Sequence, residues 1–382
     1  MQTAEHPNSP AKVLILSQYS LPANKQNMNV YQRVFYGSQY SAVTLLLRRS
    51  AEVSEELSAR VKVRWAPVDN RWLFLIYSVF MAFVLRFTGH RYLLTEPSGF
   101  AAAGFLAKYL AGYTWALDVW DRPRWRTGQH EDEQSAGFSD RLVFWLMRHA
   151  DIYLMSVLPR AAKDIRPDPS RCVQLYNAIS LSLVADHPPE RSREGDQTLR
   201  LVYGRSQFWD TMGLDVVIKA AERLKEMSCP VLIHLIGEMP ASELQRIDKS
   251  KAASCFQVHG FIQATRVEFF KTIHVGLVPY PAYEDLSYIF PIKVLEHLSQ
   301  GNPVVASRLP GLCAMVENEK NGLVVEAGNH EELAAAISRL QADVELYNRL
   351  ARQALDSIRR FDVEAKNKEI FETLLNWTVA KG

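Results

Sequence analysis

A short charged segment at residues 291–301 carries residue types suited to an anionic, hydroxyl-rich ligand. Pro291 suits the first position of a helix because its missing N–H is not needed there. Lys293, Glu296 and His297 follow at spacings of three and four residues, so they share one helix face. A helix that starts at the carboxyl end of a strand attracts anions through its free amides. Lys293 can then hold a phosphate while Glu296 accepts hydrogen bonds from sugar hydroxyls.

Alternating strands and helices are predicted to position this segment. Residues 12–17 (KVLILS) are apolar without alternation, which is typical of a buried parallel strand. Strands separated by helices indicate βαβ units and parallel sheets covered on both faces. The predicted strands are 12–17, 42–47, 92–95, 114–119, 151–156, 172–176, 199–203, 231–236, 256–259, 274–279, 303–306 and 323–325. The predicted helices are 72–86, 98–110, 214–226, 291–299, 330–341 and one near 363–379.

Length and composition indicate a globular α/β protein of two Rossmann-like domains. The chain has 382 residues, about twice the length of a typical domain. Residues 186–198 (DHPPERSREGDQT) are polar, with two prolines and a glycine, and predict an interdomain linker. We therefore predict one domain at residues 1–185 and a second at 199–362.

The composition excludes several classes of protein. Apolar residues make up 48% and charged residues 23%, which excludes a disordered, collagen-like or coiled-coil chain. A net charge of +2 argues against a nucleic-acid-binding protein. The first 185 residues are basic and the remainder acidic, which indicates contact with anionic lipid or a phosphate-bearing substrate, or else a surface without a partner. The four cysteines lack C-x-x-C spacing, so neither a zinc site nor a disulfide framework is expected, and a reducing cytosol fits.

One apolar segment bears on a membrane contact. Residues 72–85 carry no charge and are bracketed by Arg71 and Arg86. As a helix they reach about 21 Å at roughly 1.5 Å per residue, short of the roughly 30 Å hydrocarbon layer. The segment is expected to be either a buried helix or one that enters a single leaflet. The run at residues 13–16 is too short for a signal-peptide core.

Several motifs in the second half together resemble a known family. The run P-x-K-x-x-E-x-x-x-x-G-x-P-V-V-A-S begins at Pro291, and E-x-x-x-N-G-L-V-V begins at Glu317. They resemble the nucleotide-sugar module of the retaining family-4 glycosyltransferases (glycosyl transferases group 1), which have the GT-B fold. Further matching pieces, in the right order, are Ala150–Ser156, Tyr176–Ala178, Gly204–Arg205, Ile236–Glu238 and Gly260–Ile262. The likeness is good over 199–345 and weaker over 12–180.

The resemblance implies a fold and an activity. The GT-B fold consists of two Rossmann-like domains facing across a cleft, with a last helix at about 363–382 packing back on the first domain. The implied reaction transfers a sugar from UDP- or GDP-sugar to a glycan or lipid-linked acceptor, with retention and without a metal or other cofactor. Cell-surface polysaccharide synthesis is the expected setting. The basic first half and the apolar residues 72–85 suggest an acceptor at the inner membrane surface, so the expected location is the cytoplasm, peripheral at the inner face of the membrane.

The resemblance also assigns roles to residues of the second domain. Arg205 would neutralise the donor diphosphate, and Glu296 would accept hydrogen bonds from the ribose hydroxyls. Lys293 would supply a second positive charge. The predicted donor-binding residues are Gly204, Arg205, Tyr288, Ile292, Lys293, Glu296 and His297. The alternatives are an ordinary surface arginine, a helix-surface carboxylate and a structural histidine.

The chain departs from the family pattern at three places, two in the second domain and one near the amino terminus. Tyr288 stands where the first glutamate of an E-x7-E motif is expected, so Glu284 or Asp285 is predicted to take over its catalytic role. The lysine that usually follows G-R is missing from residues 206–213. A glycine pair expected near the amino terminus is absent from residues 22–30.

The acceptor half offers one catalytic candidate. Residues 118–121 (DVWD) stand where relatives carry D-x-H-D or D-x-R-D, and Trp120 replaces the histidine or arginine. Asp121 is predicted to orient the acceptor hydroxyl, or alternatively to cap the next turn. Residues 122–138 form either a ligand-binding loop after a strand end or a solvated surface loop.

Two other functions share the architecture. Tyr288, Trp120 and the missing lysine favour a catalytically inactive, glycosyltransferase-like binding or scaffold subunit. A nucleotide-sugar 2-epimerase of the GT-B type is the third alternative, and it needs no acceptor.

Overall fold

The computed structural model describes residues 10–22, 29–96, 100–119, 138–158, 165–192, 194–207, 213–260 and 266–377. The chain forms two compact units. Unit 1 comprises Met1–Tyr176 and Val363–Gly382, and unit 2 comprises Asn177–Asp362. The predictions at Asp121 and residues 122–137 lie outside the described residues.

Unit 1 is built on a parallel sheet with the strand order β3-β2-β1-β4-β5-β6-β7. The strands are β1 (Lys12–Leu16), β2 (Ala42–Leu47), β3 (Lys62–Trp65), β4 (His90–Thr95), β5 (Thr114–Val119), β6 (Ile152–Met155) and β7 (Cys172–Gln174). The helices are α1 (Asn29–Gly37), α2 (Glu55–Arg60), α3 (Arg71–Arg86), α4 (Ala101–Ala111) and α5 (Phe138–Met147). Helices α3, α4 and α5 pack side by side, and α1 packs on α2.

Unit 2 repeats this topology with the strand order β10-β9-β8-β11-β12-β13, again all parallel. The strands are β8 (Leu199–Gln207), β9 (Val231–Glu238), β10 (Phe256–His259), β11 (Val275–Val278), β12 (Val304–Ser307) and β13 (Gly322–Val325). The helices are α6 (Leu214–Glu226), α7 (Ala241–Lys249), α8 (Arg266–Lys271), α9 (Glu284–Ser287), α10 (Ile292–Leu298), α11 (Pro310–Cys313), α12 (His330–Ala342) and α13 (Val344–Ile358). Helix α6 packs on α12, and α10 packs on α13.

The last helix, α14 (Val363–Asn376), packs into unit 1. The ring of Phe371 fills the space above Gly37, where an added Cβ would lie 2.1 Å from a ring carbon. Arg33 donates a hydrogen bond to the side chain of Asn367 at 2.9 Å, and Tyr92 donates one to the carbonyl of Leu375 at 2.9 Å. The chain therefore returns to unit 1 after completing unit 2.

The α/β prediction is confirmed, and each predicted strand coincides with an observed one. Strand β3 was not predicted, because KVRW is short, half-exposed and charged at alternate positions. Strand β8 continues to Gln207, four residues beyond the predicted end at 203.

Residues 186–198, predicted to be an interdomain linker, contain a well-buried side chain. Arg191 is 7% exposed and donates to the carbonyls of Leu340 (2.8 Å) and Gln341 (3.1 Å). Its guanidinium also lies 5.5 Å from the ring centroid of Tyr347. These carbonyls lie in the last turn of α12, where no N–H of the helix is left to donate to them. Arg191 therefore supplies the missing hydrogen-bond donors. Upstream, the N–H of Ala185 donates to the carbonyl of Ser299 at 2.8 Å, so residues 177–185 also belong to unit 2.

No helix within the described ranges is long and apolar enough to cross a bilayer.

Candidate functional site

The strand order of unit 2 reverses between β8 and β11, and a ligand crevice is expected at the carboxyl ends of these two strands. The chain moves from β8 to β9 and β10 on one side, then returns to β11 on the other side of β8. In open α/β sheets, ligands bind where the strand order reverses in this way. Gly204 and Arg205 lie near the end of β8, and Tyr280 lies two residues beyond β11.

Arg205 is held by aromatic residues and keeps one nitrogen unused. Its guanidinium hydrogen-bonds to the hydroxyls of Tyr203 and Tyr280. The guanidinium carbon lies 4.9 Å from the ring centroid of Tyr280, a cation–π contact. Nη1 is buried and has no hydrogen-bond partner among the described residues. Because a buried guanidinium nitrogen without a partner is costly, this donor is suited to an anion bound in the crevice.

The two tyrosines remain neutral beside the arginine. Burial raises the pKa of Tyr203 and of Tyr280, although the positive charge of Arg205 acts in the opposite direction. Each phenol oxygen can therefore accept a hydrogen bond from Arg205.

The segment before α10 is fixed from two sides. The side-chain amide of Asn177 donates to the carbonyl of Phe290. On the other side, Gly311 approaches so closely that an added Cβ would lie 2.2 Å from the carbonyl oxygen of Ile289. Pro291 is the N-cap rather than the first helical residue, because α10 begins at Ile292. These contacts set the direction in which α10 leaves the crevice.

Lys293 and Glu296 form an ion pair on α10. The Lys293 Nζ lies 3.6 Å from a carboxylate oxygen of Glu296, which is 8% exposed. The negative charge of Glu296 also adds to burial in raising the pKa of Tyr280, so the carboxylate and the phenol share one electrostatic environment. We call the set Tyr203, Arg205, Tyr280, Lys293 and Glu296 the Arg205 cluster.

The other predicted donor residues are placed differently. Gly204, Tyr288 and Ile292 are half-buried, at the end of β8, at the C-cap of α9 and at the start of α10. His297 is 1% exposed and packs edge-on against Phe270, with ring centroids 5.0 Å apart. It also fills the space over Gly276, where an added Cβ would lie 2.2 Å from the imidazole. This position makes His297 part of the packed interior, so the packing favours the structural alternative.

The catalytic candidates are only partly described. Glu284 and Asp285 lie on α9, but their side chains are outside the described residues. Asp121 is outside them altogether.

The second motif, from Glu317, stabilises a turn. Glu317 pairs with Arg360 (2.8 Å) and Lys320 (2.9 Å). The side chain of Asn321 accepts from the N–H of Glu317 at 2.8 Å. At Gly322 an added Cβ would lie 2.0 Å from the carbonyl oxygen of Val304, so only glycine fits. This motif therefore positions β13 and the turn before it.

Sequence reasoning missed the two tyrosines of the Arg205 cluster. Their signal was position alone: Tyr203 immediately precedes Gly204–Arg205, and Tyr280 closely follows a predicted strand.

Unit 1 has an equivalent crevice at β1 and β4, where its strand order also reverses. Ser17 donates to Glu96 at 2.5 Å, and Arg33 pairs with Asp118 at 3.0 Å. All four residues are at most 3% exposed. The cavity lined by Arg33, Glu96 and Asp118 measures about 10 Å³, room for about one water molecule. Sequence reasoning missed this cluster as well.

Among the described residues, no three His, Cys, Asp or Glu side chains are grouped as metal ligands.

Comparison with known proteins identifies the architecture. Residues 199–343 match the family model described as Glycosyl transferases group 1. Anabaena HepE in complex with UDP superposes with a TM-score of 0.70 at 17% identity, covering 96% of this chain and 100% of HepE. The chain has the GT-B fold.

Two further GT-B structures agree. Sucrose-phosphate synthase from Thermosynechococcus elongatus gives a TM-score of 0.69 at 17% identity, covering 95% of this chain and 98% of the other. The lipopolysaccharide outer core galactosyltransferase WaaB gives a TM-score of 0.69 at 14% identity, covering 95% of this chain and 100% of WaaB. No curated protein matches the sequence. The family match lies within unit 2, which contains the Arg205 cluster.

Proposed function

We propose that the protein is a retaining, metal-independent glycosyltransferase that moves a sugar from a nucleotide-diphosphate sugar to a glycan or lipid-linked acceptor. The observation that carries the proposal is the unused, buried Nη1 of Arg205 at the strand-order reversal of unit 2. The match of residues 199–343 to the group 1 glycosyl transferases supports the same assignment.

In this proposal Arg205 binds the donor diphosphate. A guanidinium donates to phosphate oxygens in a fixed planar geometry and stays charged at any physiological pH. When the bond from the sugar to the diphosphate breaks, negative charge grows on the departing oxygen, and a preorganised cation stabilises that charge. The tyrosine contacts hold the guanidinium in place before the donor arrives, which lowers the cost of ordering it.

Glu296 is proposed to bind the ribose of the donor. A carboxylate accepts hydrogen bonds from two neighbouring hydroxyls, and the charge strengthens both bonds. Lys293, 3.6 Å from Glu296, supplies the second cation in place of the missing lysine after Gly204–Arg205. Its flexible stem lets the ammonium turn from the carboxylate to a phosphate oxygen.

The donor nucleotide is proposed to be UDP or GDP. HepE has been crystallised in complex with UDP and with UDP-glucose, which supports a uridine donor here. No cofactor is proposed beyond this co-substrate.

The acceptor assignment rests on the family resemblance. Asp121 is proposed to orient the acceptor hydroxyl, and Glu284 or Asp285 to assist at the reacting sugar. Cell-surface polysaccharide synthesis, in the cytoplasm at the inner face of the membrane, is the proposed setting. The structural similarity to WaaB, a lipopolysaccharide outer core galactosyltransferase, supports this kind of acceptor.

Ligand-induced thermal stabilisation tests the donor site, because a ligand that binds only the folded protein raises its Tm. The purified protein is heated with UDP, GDP or ADP and with the corresponding sugar nucleotides. We expect a rise in Tm with UDP or GDP, and a loss of most of it in Arg205→Gln and Glu296→Gln. Each loss corresponds to about 10–100-fold weaker binding, as expected for one hydrogen-bonded charge.

Arg223→Gln is the matched control for the arginine variant. Arg223 lies in the last turn of α6 and forms exposed pairs with Glu226 and Glu331. Arg223→Gln should leave the nucleotide-dependent rise in Tm unchanged. An equal rise in Arg205→Gln and in the wild type would place the donor elsewhere.

A non-catalytic binding subunit is the second candidate, favoured by Tyr288 at the position of the expected glutamate. Under this alternative the protein binds nucleotide, yet releases no free UDP or GDP from a sugar nucleotide with any glycan or lipid-linked acceptor. Product analysis without acceptor tests the epimerase alternative at the same time, since that enzyme would yield an epimerised sugar.

A further inference from the structure

Helix α3 exposes an apolar face although the rest of the helix is packed. Phe74, Ser78, Met81 and Leu85 face the interior of unit 1 and follow helical spacing. The opposite side is also apolar. Its exposed residues are Trp72, Leu73, Ile76, Phe80, Phe83, Val84 and Phe87, with exposed fractions from 41% to 85%. Helix α3 is thus apolar around its circumference, while only half of it has a packing partner.

The neighbouring helices extend this face. Helix α4 packs between α3 and α5, and all three helices lie in one layer. The hydroxyl of Tyr113 donates to the carbonyl of Ala82, which fixes α4 against α3. The ring centroids of Phe105 on α4 and Trp145 on α5 lie 5.4 Å apart. Tyr109, Leu110, Leu142 and Trp145 are exposed on these two helices. We call these residues, together with the exposed side of α3, the aromatic face.

The aromatic face is comparable to or larger than the largest apolar patch of an ordinary monomer. Fully exposed aromatic side chains present about 150–250 Å² each. Six rings with exposed fractions of 41–85% therefore leave roughly 500–900 Å² in contact with water. The largest patch on a typical monomer measures about 300–600 Å², and larger ones mark a binding surface.

Most charges around the aromatic face are positive, although Asp69 precedes the N-cap of α3 and Asp140 lies in the first turn of α5. Arg71, Arg91, Arg141 and Arg148 are exposed on the same helices or beside them. Residues 70–95, 100–117 and 141–150 contain no Asp or Glu. A second copy of the chain using the same face would bring like charges together, which is unfavourable.

We infer that the aromatic face docks on an anionic lipid bilayer, with α3 lying in the plane of the membrane. Its 16 residues reach about 24 Å, less than the roughly 30 Å needed to span. Tryptophan and tyrosine favour the headgroup region, and arginines beside them favour anionic lipid. The inference adds a docking surface to the proposed setting and needs no nucleotide, so it can fail or succeed independently of the donor site.

Vesicle co-sedimentation with the full chain tests the inference. The vesicles contain phosphatidylcholine alone or phosphatidylcholine with phosphatidylglycerol, and no nucleotide is added. We expect binding to the anionic vesicles, weaker binding to the neutral ones, and a decrease with added salt. Ile76→Ser with Phe80→Ser should weaken binding more than about 100-fold, and Arg71→Gln with Arg91→Gln about 5-fold per arginine.

The matched control exchanges exposed apolar residues of unit 2. Met227→Ser with Leu244→Ser should leave vesicle binding unchanged. Quenching of tryptophan fluorescence by brominated lipid should fall in Trp72→Phe, which shows that this side chain enters the bilayer. Absence of binding to both kinds of vesicle would overturn the inference. So would a dimer in light scattering that Ile76→Ser with Phe80→Ser dissociates, because the face would then join two copies of the chain.

Discussion

The two units share one topology but differ in the chemistry at the point where their strand order reverses. In unit 1 this point is closed and paired internally: Arg33, Glu96 and Asp118 are buried around a cavity of about 10 Å³. In unit 2 it is basic and aromatic, and Arg205 keeps a nitrogen without a partner among the described residues. The same arrangement of strands therefore carries an internal charge cluster in one unit and a candidate anion site in the other. The fold determines where a site can form, and the side chains determine what it binds.

The largest predicted effect concerns the buried pair in unit 1. Arg33→Met leaves Asp118 buried without its partner, and such a loss costs about 3–5 kcal/mol in the free energy of unfolding. Urea denaturation, with hydrogen exchange to separate the two units, measures the loss. The double variant Arg33→Met with Asp118→Leu should recover much of it, because no uncompensated charge remains. If the double variant is as unstable as the single one, the charge pair is not the cause.

The second prediction is that unit 1 loses stability as the pH rises from about 4.5 to about 8. Burial raises the pKa of Glu96 to about 8, against 4.5 in an unfolded chain. Between those pH values the unfolded chain releases this proton while the folded chain retains it, so the contribution to stability declines as pH rises. The slope is about 1.4 kcal/mol per pH unit. In Glu96→Gln this decline should be absent, measured as the pH dependence of hydrogen exchange in β1 and β4.

The third prediction is that unit 2 responds to pH in the opposite sense. The His274 Nδ1 accepts from the N–H of Arg200 at 3.0 Å, and burial lowers the pKa of His274 to about 4. Between 6.5 and about 4 the unfolded chain binds a proton that the folded chain excludes, so stability falls as pH falls. The slope should be below 1.4 kcal/mol per pH unit because the ring is partly exposed.

His274→Asn keeps an acceptor near the backbone N–H and removes the titration. Hydrogen exchange in β8 and β11 should therefore depend less on pH between 4 and 6.5 in this variant. An unchanged dependence would assign the acid response of unit 2 to other groups, of which His234 is the first to examine, since burial and the nearby His259 lower its pKa to about 4.

The smallest predicted effect separates the two parts of the tyrosine contact with Arg205. Tyr280→Phe keeps the ring against the guanidinium but removes the hydroxyl that accepts its hydrogen bond. Nucleotide binding should weaken about 5–10-fold, corresponding to one hydrogen bond of about 1 kcal/mol, while urea denaturation changes little. Isothermal titration with UDP measures the first effect. A loss as large as that of Arg205→Gln would mean that the hydroxyl itself contacts the ligand.

The fold was predictable because its signals are local. Apolar runs such as 12–17 and 231–236 define buried parallel strands, and helices between them define the layers. Glu296 and Lys293 were found because three-residue spacing on a helix brings side chains together. Strand β3 was not predicted because its four half-exposed residues contain no apolar run.

The charge clusters were not predictable because their members are far apart in the chain. Arg33 and Asp118 are separated by 85 residues and meet only after α1 packs over the sheet. Tyr280 meets Arg205 because β8 and β11 are neighbours, which depends on the strand order. The spacing of His297 from Lys293 predicted that it contacts the donor. In the structure its imidazole instead packs over Gly276, inside unit 2. Similarly, the burial of Arg191 depends on carbonyls about 150 residues away.

The position of α14 affects how the protein is made. Unit 2 is one continuous stretch inserted between two segments of unit 1, so a ribosome finishes it before residues 363–376 emerge. Until then Gly37 has no Phe371 above it and Arg33 has no Asn367. Unit 2 can complete its folding during translation, whereas unit 1 lacks the contacts between α1 and α14 until residues 363–376 emerge. A nascent chain stalled just before residue 363 should therefore recruit chaperones to its earliest-made part.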